Sequence, residues 1–141
     1  MTCRDVMTKD PTTLLPTDTI QTIAQVMARE DVGVVPIVEK RGSMRLVGVV
    51  TDRDIVLRHV AEGQDATLET ATSVMTKTLV TVAPGDDVQR ALDAMMEHQV
   101  RRVLVAENGD LVGVIAQADV ARLGADARTG EVVEQISKAD G

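Results

Sequence analysis

Apolar positions along the chain recur with two periods. Ile20, Ile23, Ala24 and Met27 follow the i, i+3, i+4, i+7 stripe of an amphipathic helix, as do Val88, Ala91, Leu92 and Met95. A cap-like residue pair opens each, Asp18-x-x-Gln21 and Asp86-x-x-Gln89. Each stripe is preceded by a short extended piece that ends near a proline, Thr12–Leu15 and Val80–Ala83. Each is followed by a run of β-formers, 32–38 and 100–106, then a turn and a second apolar strand, 45–50 and 111–115. A final helix is predicted over 52–61 and again over 117–123. Strand, helix, strand, strand, helix, written twice, predicts an α+β fold.

The two halves are copies of one another. Val6-Met7-Thr8-Lys9 returns as Val74-Met75-Thr76-Lys77, and Leu46-Val47-Gly48-Val49 returns as Leu111-Val112-Gly113-Val114. The offset drops from 68 to 65 across Lys40-Arg41-Gly42-Ser43, where the second copy has only the tight turn Asn108-Gly109. A length change in a hairpin turn is the kind that folds tolerate. The repeat organises the chain as a first copy over 1–61, a polar linker over 62–73, a second copy over 74–123 and a tail over 124–141. The tail carries a short helical pattern at Glu131, Val132, Val133 and Ile136.

Composition narrows the function. With no Phe, Tyr or Trp, the core must be built from Val, Leu, Ile, Met and Ala. Base stacking on aromatic side chains is thereby excluded, and a net charge of −7 without a basic stripe argues against nucleic acid. The single Cys3 can form neither an intrachain disulfide nor a cysteine-based metal site. His59 and His98 are isolated and read as surface or hydrogen-bonded histidines, leaving no metal centre. The opening residues lack a signal-peptide pattern and no apolar run approaches 18 residues, so a cytoplasmic protein without membrane contact is expected. No activated nucleophile or coupled carboxylate pair is evident, so no enzyme is expected.

Chemistry concentrates at Gly48-Val49-Val50-Thr51-Asp52-Arg53-Asp54, where a strand runs into a helix. A hydroxyl at Thr51 suits a phosphate or sugar oxygen, and the acceptor-only carboxylate of Asp54 suits the paired hydroxyls of a ribose. The same residues also spell a capping box, with Thr51 as N-cap and an acid in the first turn. From the residues alone, ligand contact and helix capping remain open side by side.

The order of elements, the Val-Met-Thr opening, the strand Val34-Val35-Pro36-Ile37, the Gly-x-x-Thr-x-x-Asp junction and the duplication together resemble the CBS domain. This is the small module named after cystathionine β-synthase, which occurs as a tandem pair. The resemblance covers 6–60 and 74–123, and the chain looks like a small stand-alone bacterial two-domain protein. It implies a pseudo-two-fold pair of copies with two clefts that take AMP, ADP, ATP or S-adenosylmethionine as regulatory ligands, no cofactor being required. It further implies a homodimer, a disc of four domains, that signals through its own oligomer or an unidentified protein partner. The alternative is a structural or interaction homodimer with empty clefts.

Carried over by position, the resemblance assigns the first cleft to Thr51, Asp54, Arg53, Val49, Gly33 and Val34, with Val80 and Val100 as apolar wall. In the second copy Asp119 matches, but Ala116 and Ala118 replace the hydroxyl and the cation. Arg101 and Arg102, with Thr12, Gly33 and Val114, would line that weaker cleft or leave it a relic. Without a ligand the two arginines are solvated edge charges.

Overall fold

The computed structural model describes residues 1–122; the tail over 124–141, with its short helical pattern, lies outside the described residues. Along the chain the elements are α1 (Cys3–Val6), β1 (Thr8–Lys9), α2 (Ile20–Glu30), β2 (Val34–Val38), β3 (Leu46–Thr51) and α3 (Asp52–Ile55). A π-helical stretch, Val56–Val60, extends α3, and a 3₁₀ turn follows at Ala71–Ser73. Then come β4 (Thr81–Val82), α4 (Val88–His98), β5 (Arg102–Glu107), β6 (Asp110–Ala116) and α5 (Gln117–Arg122). Helices mixed with the antiparallel hairpins β2–β3 and β5–β6 give the α+β content expected from the sequence.

The chain divides into two compact units whose limits are not those of the repeat. One is Thr12–Leu79; the other joins Met1–Pro11 to the chain from Val80 onward. The cause is strand pairing. In the second unit β1, the opening of the first copy, pairs antiparallel with β6, as Thr8↔Val114 and Lys9↔Gly113. In the first unit Thr76, from the opening of the second copy, bridges Val49 in β3. Each unit thus takes an edge from the opening segment of the other repeat, which a boundary drawn at 61 and 74 does not capture.

Within the second unit the sheet order is β1-β6-β5-β4, with β4 parallel to β5 and the β5–β6 hairpin antiparallel. The first unit reproduces this order more sparsely: Thr76, β3, β2 and a single parallel bridge from Leu14 to Ile37. Pro36 has no N–H to give, yet its carbonyl accepts from Leu14 N at 3.1 Å, so the proline costs β2 no bond on that side. The Asn108-Gly109 turn holds positive φ at both residues, 54° and 84°, the backbone a two-residue hairpin needs.

Each unit has its own core. Ile20, Ile23, Val26, Val35, Ile37, Val50, Ala71 and Val74 fill the first. Cys3, Val6, Val82, Ala91, Leu92, Met95, Val103, Val105, Ile115 and Val120 fill the second. Ala24, placed by periodicity on the buried stripe, is exposed, and Val26 is buried with Ile20 and Ile23 instead; alanine has little apolar surface to lose by exposure. The caps also shift by one. Thr19, which accepts from Thr22 N, and Asp87, which accepts from Gln89 N, are the N-caps. Asp18 and Asp86 instead accept from Leu15 N and Ala83 N at 2.7 and 2.9 Å and close the preceding turns.

The Cys3 thiol is fully buried, and burial first, then the charges of Asp86 and Asp87, push its pKa up to about 11. Iodoacetamide should therefore label the native chain at least about 100-fold more slowly than the denatured chain near pH 8. Equal rates would contradict this burial.

Candidate ligand site at the first-copy junction

The junction is set by pairing on both sides. Val34 lies opposite Thr51 across β2 and β3, and Asp52 N donates to the Gly33 carbonyl at 3.0 Å. A Cβ at Gly33 would stand 3.1 Å from Asp52 Oδ2, so a hydrogen atom there lets the two segments close up. Thr51 then stops the strand and caps α3. Its Oγ1 accepts from Asp54 N, and Asp54 Oδ2 accepts from Thr51 N, both at 3.0 Å. The capping box anticipated from sequence is formed in full.

Capping does not exhaust Asp54. Its side chain keeps 13% of its surface exposed, and Oδ1 stands 4.0 Å from Arg58 Nε. Arg58 is itself anchored, donating from Nη1 to the Val74 carbonyl at 3.2 Å. The hydroxyl of Thr76 lies 3.4 and 3.5 Å from the two carboxylate oxygens, beyond the 2.7–2.8 Å usual for O–H···O bonds. An ionised carboxylate accepts at about four lone-pair sites. One backbone donor, one long hydroxyl contact and one distant guanidinium leave room on Oδ1 for a further donor.

The remaining first-cleft residues in this unit fall beside the junction. Val49 is half-buried on β3 opposite Pro36 and clamped to Thr76: Thr76 N donates to Val49 O at 2.8 Å, and Val49 N donates to Thr76 O at 2.9 Å. Arg53 is exposed one residue before Asp54. Gly33, Val34, Val49, Thr51, Arg53 and Asp54 are thus gathered at one end of the β2–β3 hairpin. Val80 and Val100 belong to the other unit, where Val80 is half-buried just before β4 and Val100 is exposed after α4.

The second-copy junction differs in the way its side chains dictate. Gln117 N donates to the Arg101 carbonyl at 2.8 Å, just as Asp52 N does to Gly33. Asp119 Oδ2 accepts from Ala116 N at 3.3 Å, but Ala116 has no hydroxyl with which to return a bond. Oδ1 of Asp119 is taken by Arg122, three residues on, in a close ion pair. Arg102 begins β5 opposite Ala116, and Val114 faces Leu104 within the sheet. Thr12 lies in the other unit and donates its hydroxyl to Glu30 Oε1 at 2.7 Å. The acid of the second copy is engaged where that of the first is available.

Two residues beside Asp54 escaped the sequence reading. Arg58 was signalled by its i, i+4 spacing from Asp54. Thr76 was visible as part of the repeated Val-Met-Thr-Lys, but only pairing with Val49 brings it to the acid. His59 is a correction of another kind: it is 2% exposed, and neither ring nitrogen has a hydrogen-bond partner among the described residues. The unusual winding of Val56–Val60 turns its ring inward and leaves Val56, Leu57 and Val60 on the surface.

Comparisons with known proteins agree with this architecture. The model of the CBS domain matches twice, over residues 3–60 and 71–126. The CBS domain-containing protein YhcV of Bacillus subtilis is 37% identical over 118 residues, 84% of this chain and 81% of that one. Hypoxic response protein 1 of Mycobacterium tuberculosis is 38% identical over 121 residues, 86% of this chain and 83% of that one. A solved structure of Hypoxic Response Protein I, with two coordinated zinc ions, covers 86% of this chain and 98% of its own at a TM-score of 0.77. CBS domain protein PAE2072 from Pyrobaculum aerophilum, solved in complex with AMP, is 28% identical and covers 95% of this chain and 98% of its own, with a TM-score of 0.78. Two matched copies, spanning most of the sequence and folded alike, place this chain in the CBS-domain family.

Proposed function

We propose that this chain is a regulatory module that binds an adenosine-containing ligand, of the AMP, ADP, ATP or S-adenosylmethionine class, at the first-copy junction. The observation that carries the reading is the Asp54 carboxylate, fixed by Thr51 and still offering Oδ1 to a donor. A ribose diol supplies such donors. Thr51 and Arg53 are assigned to phosphate oxygens, and Val49 and Val34 to the wall against the base. The AMP complex of PAE2072 supports the class of ligand.

Asp119, with Arg101, Arg102 and Val114, is assigned a weaker second site, since Arg122 already occupies the acid. Ligand can act as a signal only by favouring one arrangement of the protein over another; equal affinity shifts nothing. The arrangement is assigned to a homodimer, for which the exposed apolar residues Val56, Leu57 and Val60 offer surface. A protein partner would read the change, and the module itself carries out no reaction. Among the described residues no helix is long and apolar enough to cross a membrane, and a cytoplasmic setting fits the single free thiol.

Zinc is not assigned to this chain. It has one cysteine and two histidines, and among the described residues no three His, Cys, Asp or Glu side chains are grouped to hold a metal ion. The Cys3 thiol, buried and pushed up to about 11, is a poor thiolate donor.

The test is calorimetric titration with AMP, ADP, ATP and S-adenosylmethionine separately. Binding of at least one with a Kd below about 1 mM is expected. Flat titrations for all four would leave the reading as a ligand-free interaction module, which the alanines at 116 and 118 already suggest for the second copy.

A further inference from the structure

Thr76 lies outside the junction motif, yet its hydroxyl is the nearest side-chain hydroxyl to the acid apart from the cap. It stands almost equidistant from the two oxygens of Asp54, at 3.5 Å from Oδ1 and 3.4 Å from Oδ2. Its position is held by the backbone. Thr76 and Val49 exchange two hydrogen bonds, at 2.8 and 2.9 Å, and Met75 lies over Gly48, whose missing Cβ would meet Met75 Sδ at 2.9 Å. The side chain is half-buried. A hydroxyl so placed, and not drawn into a short bond, has both of its acceptor lone pairs to offer.

The stereochemistry of a vicinal diol makes this useful. Oδ2 already receives Thr51 N, so Asp54 presents chiefly Oδ1 to an incoming donor. A sugar with two adjacent hydroxyls needs a second acceptor close to the first. Thr76 Oγ1, 3.5 Å from Oδ1, is at neighbouring-acceptor distance. We propose that Thr76 is a specificity residue of the first-copy site, accepting one hydroxyl of a ribose diol while Asp54 accepts the other. The site then discriminates ribose from deoxyribose. This rests on the nucleotide reading of the same site and goes beyond it.

A site built to bond a hydroxyl rejects the analogue that lacks it more strongly than an apolar pocket rejects a size change. The experiment is calorimetric titration of the wild type, Thr76→Val and Thr76→Ser with AMP, 2′-deoxy-AMP and 3′-deoxy-AMP. The wild type should bind AMP at least about tenfold tighter than one of the deoxy analogues. Thr76→Val, similar in shape, should bring that ratio close to one by weakening AMP alone, and Thr76→Ser should restore it. If the valine chain fails to fold by circular dichroism, Thr76→Ala makes the same comparison. A valine or alanine variant that keeps the full ratio overturns the role of Thr76 while leaving the nucleotide site standing, as does a wild type that binds all three nucleotides alike. A wild type that binds none of them overturns both.

Discussion

Replacing Gly113 by alanine should cost about 1–3 kcal/mol and lower Tm by roughly 3–9 °C. The added Cβ would stand 2.6 Å from Met7 Sδ and 2.9 Å from the carbonyl oxygen of Thr8. The sulfur can swing aside, but the carbonyl belongs to β1, which pairs with β6 at this point. The strand must move away or lose its register. Gly48, at the equivalent place in the first copy, is a built-in control. There the closest approaches are 2.9 Å to Met75 Sδ and 3.1 Å to the Thr76 carbonyl, so Gly48→Ala should cost less, about 1 kcal/mol. Calorimetric melting of the two variants checks the order. Equal and negligible losses would mean that the opening segments are not held against these glycines.

Asp54→Ala should remove the ligand-induced gain in stability. At a ligand concentration of about 100 times Kd the wild type should gain about 2.7 kcal/mol, and the variant should gain essentially none. Without ligand the variant should lose only about 1 kcal/mol, the contribution of a capping residue. The two effects separate because Thr51 can still cap α3 through its own hydroxyl, which accepts from the amide of residue 54. Since the chain has no Trp or Tyr, circular dichroism or calorimetry is the suitable readout. An alanine variant that melts low but still responds fully to ligand would show Asp54 to be a cap and nothing more.

Much of the fold is legible in the residues, because the duplication reports itself. Two copies of Val-Met-Thr-Lys and of Leu-Val-Gly-Val, at fixed offsets, bring out strands and helices that a single pass would leave ambiguous. Periodicity then finds Ile20, Ile23, Leu92 and Met95 in the cores. The parts that are not legible depend on where segments go after the local structure is formed. No local pattern says that Thr8–Lys9 pairs with Gly113 and Val114 rather than with its own copy. That pairing is long-range and decides the compact units. The caps at Thr19 and Asp87 were one residue off for a related reason: two adjacent polar residues compete, and the turn geometry gives Asp18 and Asp86 to the preceding loop.

The site shows the same division. The capping box of Thr51 and Asp54 could be named from its spacing, and it is formed. Thr76 could not, because it approaches Asp54 only through the bridge to Val49. His59 reads from sequence as a surface or hydrogen-bonded histidine, yet it is buried and neither ring nitrogen has a partner among the described residues. Its burial depends on the π-helical winding of Val56–Val60, which changes which face points inward.

The proposed function rests on a sugar diol docking at the Asp54 carboxylate. A crystal structure of the chain grown with AMP measures that contact directly. Ribose hydroxyls are expected within about 3 Å of Asp54 Oδ1. AMP bound elsewhere, with Asp54 left to Thr51, Thr76 and Arg58, would contradict it.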